Sequence, residues 1–293
     1  MIDVAAPWLL GLALCPLGGL HATIDSLARS IDGRIGVAAM VIETGETVSV
    51  RGAARFPMQS VYKLPIAMAV LARVDRGLLR LDQLVPVDSA DIAPVHSPIT
   101  EQHPRGGITL TVRELLRGAI VESDGTASDV LLKRVPASAV TAYLRSLGIS
   151  GMRVVATEKA MARDSMVQYR NWSTPAAATD LLRALEKGRG LSDSSRSLLL
   201  GWLTETGIGA ARIKGRLPPG TAVAHKTGTD RTRGGLTRAT NDIGIITLPD
   251  GRHLALAVFV ADSRADESAR EGMIATMARA VWDCVVPPGP RPL

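Results

Sequence analysis

Strand-forming segments stand at both ends of this chain and helical segments fill its middle, so a sheet must be assembled from the two termini. Residues 34–42 are rich in β-branched and small side chains, the turn Glu43-Thr44-Gly45-Glu46 follows, and residues 47–51 complete a hairpin pattern. A second hairpin joins 241–248 to 253–260 through Pro249-Asp250-Gly251, and 222–229 is a fifth strand candidate. Helical patterns lie between, at 61–76, 111–122, 127–134, 137–147, 175–186 and 192–203. The order predicts an α/β protein of the α+β type: an antiparallel sheet of about five strands with terminal helices on it, and an inserted all-helical subdomain. The expected division is an α/β part at 23–53 and 208–293 and a helical part at 54–207, with the ligand groove between them.

A chain of 293 residues with 46% hydrophobic residues can bury a large core. Its net charge of +6 comes from scattered basic residues and aromatics are only 3%, which argues against nucleic-acid binding. The apolar run at 7–20 is too short to span a bilayer and stands where a secretory leader would, so 1–22 is expected to be a leader and the protein secreted or periplasmic, with no stable membrane partner. The leader is atypical, because it carries Asp3 and no basic residue. Leu14 before Cys15 is not the small residue that a lipid-attachment site wants, so a lipoprotein is not expected. With Cys15 in the leader only Cys284 remains, and no disulfide is expected. The five His residues are dispersed and no phosphate-binding Gly-rich loop occurs, so neither a metal nor a cofactor is expected.

Three short strings carry the chemistry: Ser60-Val61-Tyr62-Lys63, Ser123-Asp124-Gly125 and Lys226-Thr227-Gly228-Thr229, with Glu158 between the second and third. Ser-x-x-Lys on a helix sets a hydroxyl and an amine one turn apart on one face, within reach of the proton a nucleophile must lose. Taken singly, Ser60 and Ser123 would read as helix caps and Glu158 as an exposed loop carboxylate. Their order along one chain makes them a candidate active site.

That ordered set resembles class A serine β-lactamases and penicillin-binding proteins, and the resemblance runs from Thr23 to Trp282. Within class A, several strings are similar to the A2 subclass: Pro57-Met58-Gln59, Gln168-Tyr169 with Asn171-Trp172, Ala224-His225, Ala239-Thr240-Asn241-Asp242 and Leu248-Pro249-Asp250-Gly251. The resemblance implies a monomeric hydrolase that opens small β-lactams, penicillins and cephalosporins, through an acyl-enzyme on Ser60. Lys63, Ser123 and Lys226 would move protons, leaving open whether Lys63 or Glu158 deprotonates Ser60. Glu158 would activate the deacylating water, and the backbone N–H groups of Ser60 and Thr229 would form the oxyanion hole. Substrate contacts are implied for His96, Gly125, Thr227, Gly228 and Thr229. Arg212 would pair with the substrate carboxylate, since Thr240 stands where many members carry an Arg. Gly125 replaces the usual Asn, Ala162 replaces a polar residue near the water, His96 takes a gating position usually aromatic, and Asp129 replaces an Asn that orients the Glu158 loop. Two rivals remain at this level: a penicillin-binding carboxypeptidase without a deacylating Glu, and a β-lactam sensor that stays acylated.

Overall fold

The protein, seen in a computed structural model, is described over residues 17–286. Its main sheet is antiparallel, in the order β2-β1-β10-β9-β8, from β1 (Arg34–Val41), β2 (Thr47–Val50), β8 (Val223–Thr229), β9 (Thr240–Thr247) and β10 (His253–Ala261). Both expected hairpins and the fifth strand form. Between them β3 (Phe56–Pro57), β6 (Met152–Arg153) and β7 (Trp172–Ser173) make a small sheet in the order β3-β7-β6, and β4 (Leu84–Val87) pairs with β5 (Ile108–Thr111).

Alternation along the strands splits the core in two. Leu254, Leu256, Val258 and Val260 of β10, with Ile35, Val37 and Val41 of β1, face α1 (His21–Arg29) and the C-terminal α10 (Glu267–Val285). Ala255, Ala257, Phe259 and Ala261 face the helical side. Small residues are required there: a Cβ on Gly36 would lie 2.3 Å from the Phe56 ring and 2.9 Å from Pro175.

The helical part comprises α2 (Lys63–Asp75), α3 (Pro98–Gln102), α4 (Val112–Val121), α5 (Gly125–Arg134), α6 (Ala137–Ser146), α7 (Glu158–Arg163), α8 (Pro175–Glu186) and α9 (Asp193–Glu205). Local signals fix several starts: Thr111 and Glu114 form a capping box on α4, and Thr174 caps α8 ahead of Pro175. In α2 the residues from Lys63 to Ala72 are all buried, as befits a helix apolar nearly all round at the centre of a domain. Lys63 is the charged exception, and an ammonium is buried there only with partners.

Of the expected leader, residues 1–16, including Cys15, lie outside the described residues. Leu17 is fully buried and its N–H donates to Glu46 Oε1 at 2.6 Å, so folded structure begins ahead of the expected boundary at 23. Cys284, buried near the end of α10, is disulfide-bonded, which corrects the expectation of a chain without disulfides. The turn Leu17–Leu20 packs against α10, so chain ahead of α1 is held beside that helix.

Candidate active site

Ser60 lies in a 3-10 turn, Gln59–Tyr62, and the α-helix begins only at Lys63, a correction to the expectation of one helix running through both residues. Pro65 in the first helical turn has no N–H to give back to residue 61, which suits a tighter lead-in. The spacing still brings Lys63 Nζ to 3.0 Å from Ser60 Oγ. Gln59, immediately before, has φ +45°, a left-handed conformation of the kind that costs of order 1 to 3 kcal/mol and persists where surroundings enforce it.

Lys63 is the hub. Its Nζ also lies 3.0 Å from Glu158 Oε1 and donates to the Ser123 carbonyl at 2.5 Å. Glu158 Oε1 is buried and takes no aligned hydrogen bond, so a lone pair remains on the carboxylate. Ser123, also left-handed at φ +57°, receives a hydrogen bond on its hydroxyl from Lys226 Nζ at 2.9 Å. Burial first, and the Lys63 ammonium second, hold the Lys226 amine well below its usual range. The cap of α5 is Asp124 rather than Ser123, which leaves the Ser123 hydroxyl directed at Lys226.

Glu158 opens the short helix α7 instead of riding an irregular loop. Thr157 caps that helix by accepting from Ala160 N, and Asp129 of α5 accepts from both Glu158 N at 2.7 Å and Lys159 N at 3.0 Å. Farther along, Asn171 closes the neck of the segment: its Oδ1 accepts from Val155 N and Ala156 N, and its Nδ2 donates to Ala156 O. Burial raises the Asp129 carboxyl to about 6, against the two N–H groups that stabilise its anion, while the Glu158 charge adds to the rise. The folded protein therefore binds more protons than the unfolded chain between about pH 4 and pH 6, and the stability Asp129 confers is lost as pH rises through 6. Compared with Asp129→Asn, wild type should gain roughly 1 kcal/mol of unfolding free energy between pH 7 and pH 5. Activity should move the other way, because a protonated Asp129 can no longer accept both N–H groups of α7. Urea melts and kcat of the two proteins at both pH values check this; parallel melts would show that Asp129 does not titrate there.

β8 forms the opposite wall. Gly228 sits on the nucleophile turn, where an added Cβ would lie 2.2 Å from Met58 O and 3.2 Å from Ser60 N. Thr227 and Thr229 face the cavity. Arg212, only 3% exposed, lies behind them: Nη2 donates to Thr229 Oγ1 at 2.8 Å, Nη1 to Asn241 O and Nε to Glu271. The guanidinium thus reaches the site through Thr229. Arg212→Ala should lower kcat/KM by about tenfold to a hundredfold, the worth of a hydrogen bond to a charged group. Because the two act as a unit, adding Thr229→Ala should cost little more; additive losses would mean that they act separately.

The cavity between the walls has a volume of about 470 Å³ and receives Ser60, Lys63, Ser123, Glu158, Ala162 and His96. His96 is fixed by its Nε2 against Glu122 O at 2.9 Å. Gly125, expected at the substrate, is buried behind the cavity lining, and Val95 takes the space a Cβ would need, at 2.3 Å. Lys226 is buried just behind the wall. No cluster of His, Cys, Asp and Glu among the described residues could hold a metal ion. Gln59 and Asp230 on the walls, and Gln168 behind them, did not stand out as functional in the sequence, because only the fold brings them together.

Residues 19–285 match the model of the β-lactamase enzyme family. The extended-spectrum β-lactamase PER-1 of Pseudomonas aeruginosa is 40% identical over 90% of this chain and 86% of its own length. The crystal structure of a β-lactamase from Chitinophaga pinensis superposes with a TM-score of 0.86 at 43% identity, covering 89% of this chain and 97% of that one. A class A β-lactamase from Bacteroides cellulosilyticus gives 0.86 at 34% identity, over 92% and 98% of the two chains. A half-buried serine joined through a buried lysine to a buried glutamate, on a fold shared along almost the whole chain with these proteins, makes this chain a member of the class A serine β-lactamase family, enzymes that hydrolyse β-lactams and confer antibiotic resistance.

Proposed function

We propose that Ser60 is the nucleophile and Glu158 the deacylating base of a β-lactamase acting on penicillins and cephalosporins. The observation that carries this is the placement of one buried side-chain nitrogen, Lys63 Nζ, at 3.0 Å from both Ser60 Oγ and Glu158 Oε1. Through that hub the Ser60 proton has two acceptors, the amine itself and the carboxylate beyond it. As Ser60 Oγ bonds to the lactam carbonyl carbon, negative charge develops on the carbonyl oxygen, and the N–H groups of Ser60 and Thr229 receive it. When the C–N bond breaks, the ring nitrogen takes a proton from the Ser123 hydroxyl, which Lys226 orients, and the proton that left Ser60 replaces it, so Glu158 is ionised for the next step. A water in the cavity then gives a proton to the Glu158 carboxylate as it attacks the ester, and that proton returns to Ser60 Oγ as the ester C–O bond breaks.

Thr227 and Thr229 donate to the substrate carboxylate, with Arg212 polarising the second hydroxyl. Gly125 supplies no amide to the acyl side chain, so Val95 and His96 bound that end of the cavity. The paired N–H acceptance by Asp129 supports the A2-like subgroup. Ser60, Lys63, Ser123, Glu158 and Lys226 all come from one chain, so a monomer carries the full set of groups assigned to the reaction. Among the described residues no helix is long and apolar enough to cross a membrane, and the disulfide at Cys284 supports export to an oxidising compartment. Purified protein with a chromogenic cephalosporin should show many turnovers per chain, and Ser60→Ala none; a single stoichiometric burst from wild type would instead fit a sensor or a carboxypeptidase.

A further inference from the structure

Behind the catalytic residues, one side-chain amide joins three separate segments. Gln168, 1% exposed, belongs to the 3-10 turn Ser165–Arg170 that follows α7. Its Oε1 accepts from Gln59 Nε2 at 2.7 Å, and its Nε2 donates to Asp230 Oδ2 at 3.0 Å and to Ser165 O at 2.7 Å. Gln59 is the left-handed residue directly before the nucleophile. Asp230 directly follows β8; its N–H bonds Ala239 O at 2.8 Å and its second oxygen takes Arg233 Nη1 at 2.7 Å. The next residue of the turn, Tyr169, bonds Asp262, itself left-handed at φ +55° and paired with Arg34. The segment carrying Glu158 is therefore clipped to the sheet side at its back as well as held at its front by Asp129.

We propose that Gln168 is a positioning residue for deacylation, which fixes the Glu158 segment against the Ser60 turn through the chain Gln59–Gln168–Asp230. This rests on Glu158 being the deacylating base. Both polar atoms of the Gln168 amide are engaged and the side chain is buried, so the clip has one arrangement and no cheap alternative. Acylation uses Ser60, Lys63 and Ser123, which are joined without it. Deacylation needs a water aligned between a group on α7 and an ester on the Ser60 turn, and a misplacement of about 1 Å there can cost on the order of a hundredfold. The clip also ties the Asp230–Arg233 edge of the cavity to the catalytic segment, so a bulky acyl group pressing on that edge acts on the position of Glu158.

The test is Gln168→Leu, close in size but unable to bond. With a penicillin, kcat and KM should fall together, by about tenfold or more, with kcat/KM kept within threefold, and intact-mass spectra should show acyl-enzyme accumulating at steady state. A role in folding alone would reduce kcat at constant KM, through fewer active molecules, and that result overturns the proposal. Should Gln168→Leu not fold, Gln168→Glu keeps the question open to experiment. It sets a second carboxylate, beside the neutral Gln59 amide, against Asp230, which is also paired with the Arg233 guanidinium. A shared proton should hold the pair at pH 5.5, and kcat should fall more than tenfold by pH 8 relative to wild type. Adding Asp230→Asn supplies an amide donor to the new carboxylate and should restore at least half of that loss on a logarithmic scale; the Ser165 carbonyl lacks its donor in both variants and so cancels. A double variant no better than Gln168→Glu, or a flat pH profile, overturns the proposal. Glu158→Ala run in parallel reports on the base itself: deacylation at the wild-type rate there removes the base assignment, whereas a trapped adduct there with unaltered Gln168→Leu kinetics removes only the role of Gln168.

Discussion

Glu158→Ala protein mixed with a penicillin should gain the mass of one β-lactam on Ser60 and hold it, while Ser60→Ala gains nothing. The asymmetry follows from the geometry around Lys63. Removing the carboxylate leaves Lys63 Nζ at 3.0 Å from Ser60 Oγ and still donating to Ser123 O, so an amine remains beside the nucleophile. Neither neighbouring carboxylate stands in the same place: Asp129 lies behind the cavity wall and is occupied with two N–H groups, and Asp230 is bonded to Gln168 and Arg233. General-base assistance is typically worth about 10² to 10⁴ in rate, so hydrolysis of the adduct should slow by at least that order. Intact-mass spectra taken from seconds to hours distinguish the outcomes. An unlabelled Glu158→Ala protein would make the carboxylate the acylation base as well, and a labelled one that clears at the wild-type rate would remove it from the mechanism.

The ordered motifs single out Ser60, Lys63, Ser123, Glu158 and Lys226 from the sequence alone, because each is a residue type whose chemistry fails at another spacing. The strands are legible for a different reason: β1 is mostly β-branched and small residues and β10 is an apolar run, each bordered by turn signals. Two-residue strands such as β3, β6 and β7 have no period to detect, and α3 and α7 are too short for a helical one. Gln59 and Gln168 stand in strings similar to the A2 subclass, but their pairing with each other and with Asp230 is not legible, since it joins distant residues and the pairing of neutral amides has no local pattern. Arg212 is legible as a candidate cation, but its placement behind Thr229 depends on β8 and β9 lying side by side, with Thr229 opposite Thr240. In this chain the groups assigned covalent chemistry are spelled out in order, and the groups that aim them are assembled by tertiary contact.

Gly228→Ala should be nearly as damaging as loss of an oxyanion donor, although it removes no functional atom. The new methyl would lie 2.2 Å from Met58 O, 3.0 Å from Val61 N and 3.2 Å from Ser60 N, all backbone atoms that cannot rotate away. Nor can the turn retreat freely: Asn241 Nδ2 holds Pro57 O at 2.8 Å and Met58 O at 3.1 Å, and Met58 N bonds Asn171 O at 2.9 Å. β8 must move instead, carrying Thr229 away from Ser60 and widening the space between the two proposed oxyanion donors. Loss of one such donor costs about 10² to 10³ in kcat, so the acylation rate should fall by at least about a hundredfold, with deacylation affected similarly because it passes through a like oxyanion. Gly244→Ala is the control. It also crowds the sheet, with its methyl 2.8 Å from the His225 Cβ and 3.0 Å from Ala224 O, but away from the nucleophile turn. Both variants should melt below wild type, and only Gly228→Ala should label slowly in a stopped-flow experiment with excess penicillin. Equal labelling rates in the two variants would mean that β8 gives way without disturbing the oxyanion donors, and that Gly228 is needed for packing alone.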